Sequence, residues 1–149
     1  LPLYPLKGYS ISVPIGAEHK APNINVTDFD RKTVYARIGE QLRVAAMVDM
    51  VGFNVAPEPK RLEAIKRMAR QTFPMGGNYD AAVEWAGMRP AMPNGLPLIG
   101  ASAYPNLWLN LGHGALGFTL ACGSGQLLAE MVDAQLTSID TGVFLPKVA

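Results

Sequence analysis

The sequence predicts an α+β fold: a mixed, largely antiparallel sheet with a flanking helix, followed by a C-terminal strand and helix. Three observations predict it. Apolar residues alternate with polar ones over 9–15, residues 33–50 read as a hairpin, and residues 59–72 carry one amphipathic helical pattern. The chain has 149 residues, 49% hydrophobic and 17% charged. That composition excludes a disordered tail and predicts a packed core.

Along the chain, Tyr9, Ile11, Val13 and Ile15 alternate with Ser10, Ser12 and Pro14, giving a strand with one buried face and an edge or end at Pro14. Residues 18–30 read as a polar loop. Thr33–Ile38, a Gly39-Glu40 turn and Gln41–Met50 read as the hairpin, with Leu42, Val44, Ala46 and Val48 on one face. The helix over Pro59–Thr72 has a proline suited to its first turn, Leu62, Ile65, Met68 and Ala69 on one side, and Phe73-Pro74 as its stop. Its Lys60, Arg61, Lys66, Arg67 and Arg70 read as a solvated face. Tyr79–Pro90 is read as a strand, and Met92-Pro93-Asn94-Gly95 as a turn. A short strand containing Leu107, Leu109 and Leu111 then leads into a helix over Ala115–Gln135, interrupted by Gly117, Gly123 and Gly125.

The charge balance disfavours several partners. Thirteen Lys and Arg against twelve Asp and Glu leave a formal charge of +1, which offers no electrostatic footprint for nucleic acid or an anionic membrane. The single Cys122 cannot form an intrachain disulfide, and His19 and His113 without a C-x-x-C make no metal pattern, so no metal is expected. Without 18 consecutive apolar residues or a basic leader, neither a transmembrane segment nor a signal peptide is expected. Because the chain opens on Leu1, it is expected to be a piece of something longer.

The most chemical-looking feature is Gly112-His113-Gly114-Ala115-Leu116-Gly117 between a strand and a helix. It fits G-x-G-x-x-G, but no second parallel strand with a terminal acid follows, as a dinucleotide fold requires. Two readings remain: a turn whose glycines and free helix N–H groups admit an anionic or electron-rich group, or a plain strand-to-helix connection. His113 reads as a loop histidine bonded to backbone, and Cys122 as a small buried hydrophobe. Ser124 is no nucleophile elbow, because Cys122 stands two residues before it. Arg89, in Trp85-Ala86-Gly87-Met88-Arg89-Pro90, is either a structural or solvated arginine or a fork for a carboxylate. Tyr9 and Tyr35 could serve a ligand or the core.

These motifs stand in a telling order: Tyr4-Pro5-Leu6-Lys7-Gly8-Tyr9-Ser10, then Trp85 to Pro90, Pro93-Asn94-Gly95-Leu96-Pro97-Leu98-Ile99-Gly100, Asn106-Leu107, and Gly112 to Gly125 with its Ala121-Cys122-Gly123-Ser124-Gly125 end. The set resembles the C-terminal part of the bacterial D-amino acid dehydrogenases, in the FAD-dependent D-amino acid oxidase family, over nearly the whole chain. The resemblance implies that residues 1–100 form the substrate domain covering the flavin. Residues 101–149 would be a strand and helix returning to the FAD domain, whose N-terminal dinucleotide-binding region lies outside this chain. It implies FAD as cofactor, contacted by Gly112, His113, Gly114, Ala115, Leu116, Gly117, Phe118 and Thr119, and Arg89 as the substrate carboxylate holder. The reaction implied is oxidative deamination of D-amino acids to 2-oxo acids and ammonia by hydride transfer, with no side-chain base and with a quinone or another acceptor taking the electrons.

The chain departs from the family pattern at Phe118, where Trp is usual, Leu120, where Met is usual, and Asn94, where Asp often stands. Ala115 lies where related glycine oxidases carry an arginine, which favours the dehydrogenase. A flavoenzyme acting on glycine, sarcosine or proline, and a non-catalytic αβ binding module, are the alternatives. The isolated chain is expected to be inactive and to self-associate through surface meant for the missing domain. The whole enzyme is expected in the cytoplasm, or held peripherally on the inner face of the bacterial membrane.

Overall fold

The computed structural model describes residues 1–146. Positions 147–149, the end of the expected segment 101–149, lie outside the described residues. The chain forms two compact units. One is Lys7–Met88; the other joins Leu1–Leu6 to the chain from Arg89 onward. The division expected at residue 100 concerned roles in a whole enzyme, and these units are a property of this chain alone.

The first unit is built on a sheet covered by a helix. The strands of that sheet are β1 (Tyr4–Pro14), which enters the unit at Lys7, β2 (Val26–Asp28), β3 (Thr33–Ile38), β4 (Gln41–Asp49) and β5 (Val83–Ala91), which leaves it after Met88, in the order β2-β3-β4-β1-β5. β1 pairs antiparallel with β4, and β3 with both β4 and β2. The alternation read from sequence holds: Tyr9, Ile11, Val13, Tyr35, Leu42 and Val44 form one buried cluster with Leu62, Ile65 and Ala69 of α1 (Pro59–Thr72). Each fully buried Leu or Ile contributes about 1.5–3 kcal/mol, so this face fixes the register. Tyr9 and Tyr35 are therefore core residues.

Four details differ from the sequence reading. Val48, expected on the core face, is exposed, because the β1/β4 register shifts between Gly8 and Tyr9 and Met47 takes the extra position at φ 64°. A bulge of one residue reverses the side-chain alternation beyond it. β2, inside the expected polar loop, is a three-residue edge strand. Tyr79–Ala81 is a single 3-10 turn capped by Asn78, so the strand read from Tyr79 starts at Val83. The basic face of α1 is also partly paired. Arg61 meets Asp49 at 2.6 Å, Lys66 meets Glu84 at 2.7 Å and Glu63 at 3.0 Å, and Arg70 pairs with Asp80.

The second unit is a hairpin against a helix. β6 (Leu98–Ala101) pairs antiparallel with β7 (Trp108–Leu111), and α2 (Gly117–Val132) packs on both. Met92, Ile99, Leu109 and Leu127 are its buried apolar residues among those described. The Met92–Gly95 turn is present, with Gly95 N–H donating to Met92 O at 3.0 Å and Gly95 at φ 74°. β6 was not read from sequence: four residues after a proline carry too short a pattern, and pairing with β7 makes them a strand. The helical run Gly114–Val132 has 19 residues and is long and apolar enough, by length and composition, to cross a membrane. Glycines, Thr119, Ser124, Gln126 and Glu130 interrupt it, so it holds no 18 consecutive apolar residues. A helix covered by other protein has the same length and composition.

Candidate cofactor and substrate site

The site begins at the end of β5. An isolated antiparallel bridge pairs Ala91 with His113. It joins the end of the strand carrying Arg89 to the turn between β7 and α2, so two motifs well separated in sequence meet within one unit. Arg89 is half-buried, and burial lowers its pKa from the ordinary guanidinium value. Among the described residues its guanidinium has no hydrogen-bond or ion-pair partner. A desolvated, unpaired cation is costly, and its natural complement is an anion from outside the chain.

In the turn, two glycines serve different needs. Gly112 lies at φ 82°, and a Cβ there would stand 2.5 Å from Met92 Cγ, so internal packing requires it. Gly114 lies at φ 55° with nothing within 4 Å of an added Cβ. A single 3-10 turn over Gly114–Leu116 follows, closed by Leu116 N–H donating to His113 O at 3.0 Å. No side chain caps the start of α2. The start of α2 carries the positive end of its dipole.

Side chains around this turn are mostly outward. Ala115, Leu116, Phe118 and Thr119 are exposed, Phe118 at 99%. Cys122, expected as a buried hydrophobe, is exposed as well. Gly123 and Gly125 have nothing within 4 Å of an added Cβ among the described residues. His113 is half-buried, and its buried Nε2 has no hydrogen-bond partner among the described residues, unlike the satisfied loop histidine expected. It borders an apolar cavity of about 420 Å³ shared with Ile99, Leu116, Leu120, Leu127 and Phe144.

Two supports escaped the sequence reading. Asn110 Nδ2 donates to Ser124 Oγ at 3.5 Å, tying β7 to α2. Glu130 Oε1 accepts from Gln126 Nε2 at 2.9 Å and Oε2 from Ser138 N–H at 2.8 Å, which together hold the Glu130 carboxyl below the usual carboxylate range. The four-residue spacing of Gln126 and Glu130 on a helix was the available signal.

Residues 1–131 match the FAD dependent oxidoreductase family, DAO, and the chain belongs to it. Over 147 residues it is 66% identical to D-amino acid dehydrogenase 2 of Pseudomonas aeruginosa, a match covering 99% of this chain and 35% of that protein. It is 45% identical over 139 residues to D-amino acid dehydrogenase of Paramagnetospirillum magneticum, covering 93% and 33%. The chain thus spans about a third of the length of these relatives. The fold matches that of glycine oxidase from Geobacillus kaustophilus (TM-score 0.86, 22% identity, 100% of this chain and 40% of that one). It also matches L-proline dehydrogenase from P. horikoshii (TM-score 0.82, 16% identity, 97% and 40%).

The residues present fit the family's cofactor. Gly114 leaves its side of the turn open, no side chain caps the start of α2, and His113 Nε2 is a buried polar atom without a hydrogen-bond partner among the described residues. A positive helix end and an unpartnered ring nitrogen are complementary to the carbonyl and ring-nitrogen acceptors of a flavin.

Proposed function

We propose that this chain is the C-terminal, substrate-facing part of an FAD-dependent D-amino acid dehydrogenase, which oxidises D-amino acids to 2-oxo acids and ammonia. The observation that carries the reading is Arg89: half-buried, without a partner among the described residues, and on a strand bridged to the glycine turn. The names and identities of the relatives support the same activity.

In this reading Arg89 binds the substrate carboxylate through parallel charge-assisted hydrogen bonds, each worth about 1.5–3 kcal/mol when desolvated. That contact orients the α-hydrogen, and orientation is the main catalytic tool. FAD, when bound, supplies hydride acceptance. Gly112, His113, Gly114, Ala115, Leu116, Gly117, Phe118 and Thr119 line it, and the first N–H groups of α2 face the side of the ring where negative charge develops. No side chain of this chain is assigned as a base. Residues 1–100 serve as substrate domain and 101–149 as part of the FAD domain. A quinone or another acceptor takes the electrons, and the whole enzyme works in the cytoplasm or held peripherally on the inner face of the bacterial membrane. The exposed Leu116, Phe118 and Leu136 support self-association of the isolated chain.

The test is the visible spectrum of the whole protein under anaerobic conditions. Flavin absorbance bleached by D-alanine and not by L-alanine is expected. Bleaching by glycine or proline alone moves the specificity within the family, and absence of flavin overturns the reading.

A further inference from the structure

The antiparallel bridge between Ala91 and His113 makes Met92 and Gly112 the next residues to face each other. Met92 is 8% exposed, and its side chain occupies the space that a side chain on Gly112 would need. A Cβ on Gly112 would stand 2.5 Å from Met92 Cγ and 3.1 Å from Met92 Sδ. Met92 is also fixed from its own backbone, because its carbonyl accepts from Gly95 N–H at 3.0 Å and closes the turn that follows.

This contact stands between the two motifs to which the chemistry is assigned. Arg89 lies three residues before Met92, and the turn running through His113 and Gly114 begins at Gly112. All of these residues belong to one compact unit. Close-packed interiors transmit a displacement rather than absorb it, so the bulk of Met92 decides how far the backbone at Gly112 lies from the end of β5.

We propose that Met92 is a positioning residue: packed against Gly112, it sets the spacing between the arginine that takes the substrate carboxylate and the turn that lines the flavin. This rests on the D-amino acid dehydrogenase reading above. Hydride transfer requires the α-hydrogen within reach of the ring, and a shift of about 1 Å made away from the reacting atoms costs about 100-fold in rate.

The experiment follows flavin bleaching in the whole FAD-loaded protein mixed anaerobically with D-alanine, so that each rate is read per bound flavin. In Met92→Ala the limiting rate is expected to fall about 10- to 100-fold, while the D-alanine concentration giving half that rate changes less than about 3-fold because Arg89 is intact. Met92→Leu keeps the volume and is expected to restore the limiting rate to within about 3-fold of wild type. A merely structural role lowers Tm or flavin content and leaves the rate of the flavin-loaded molecules unchanged. Met92→Val, a smaller truncation, serves should Met92→Ala hold no flavin, with the same split expected at about 3- to 10-fold. A limiting rate within about 2-fold of wild type in the flavin-loaded truncation overturns the inference, as does a Met92→Leu rate as low as that of the truncation. If D-alanine does not bleach the wild-type flavin, the functional reading fails and this inference with it.

Discussion

The Tyr9 hydroxyl donates to Asp49 Oδ2 at 2.7 Å, across the β1/β4 pair just beyond the bulge at Met47. Arg61 of α1 grips the same carboxylate with Nε at 3.2 Å and Nη2 at 2.6 Å. Strand, neighbouring strand and helix are thereby tied at one carboxyl group. The Tyr9 bond and Arg61 hold the Asp49 carboxyl below the usual carboxylate range, while burial, with help from Asp49, pushes Tyr9 up to about 12.

The pH dependence of stability follows from those signs. A carboxyl depressed in the folded state stabilises above its unfolded value near about 3.9 and loses that contribution as pH falls through the folded value. A phenol raised in the folded state stabilises below its unfolded value near about 10 and loses that contribution as pH rises towards its folded value. Melting temperature of the whole protein against pH is expected to fall in strong acid and above about pH 10. Tyr9→Phe is expected to flatten the alkaline arm. An alkaline arm identical to wild type removes Tyr9 as its source.

Asp49→Ala leaves a buried tyrosine hydroxyl unsatisfied. The expected cost is about 1–3 kcal/mol, read as a lowered denaturation midpoint. Tyr9→Phe should cost less, because Arg61 still satisfies Asp49.

Ile65→Ala removes a fully buried side chain from the α1 side of the core. A loss of about 2–5 kcal/mol is expected from lost transfer energy and the cavity left behind. A change below about 1 kcal/mol means that the site collapses around the gap.

Arg89→Ala is expected to raise KM for D-alanine about 10- to 100-fold while flavin stays bound, consistent with losing charge-assisted bonds. Unchanged steady-state kinetics remove Arg89 from the substrate site.

Gly114→Val is expected to reduce flavin content. The comparison is Gly95→Val, since both glycines have positive φ (55° and 74°) and open space around a Cβ, so backbone strain is shared. Equal flavin occupancy in the two variants removes Gly114 from the cofactor contact.

Much of the secondary structure was legible because it rests on short-range rules. Pro59 presets the first turn of α1, the spacing of Leu62, Ile65 and Ala69 marks its buried stripe, and Phe73-Pro74 stops it. The β3/β4 hairpin is equally local, with Gly39 at φ 57° making the turn. The Arg89 and glycine-turn motifs were legible as residues in sequence, but nothing local shows that Ala91 bridges His113. β6 and β2 exist because a partner strand satisfies their backbone, and Val48 faces outward because the β1/β4 register slips by one residue. The sequence by itself therefore determined helix, hairpin and the chemistry-bearing motifs, which depend on neighbours a few positions away. Only the tertiary structure decided which motifs meet, that Arg89 has no partner among the described residues, and that Arg43 stands over Trp85, because those facts depend on packing between residues far apart in the chain.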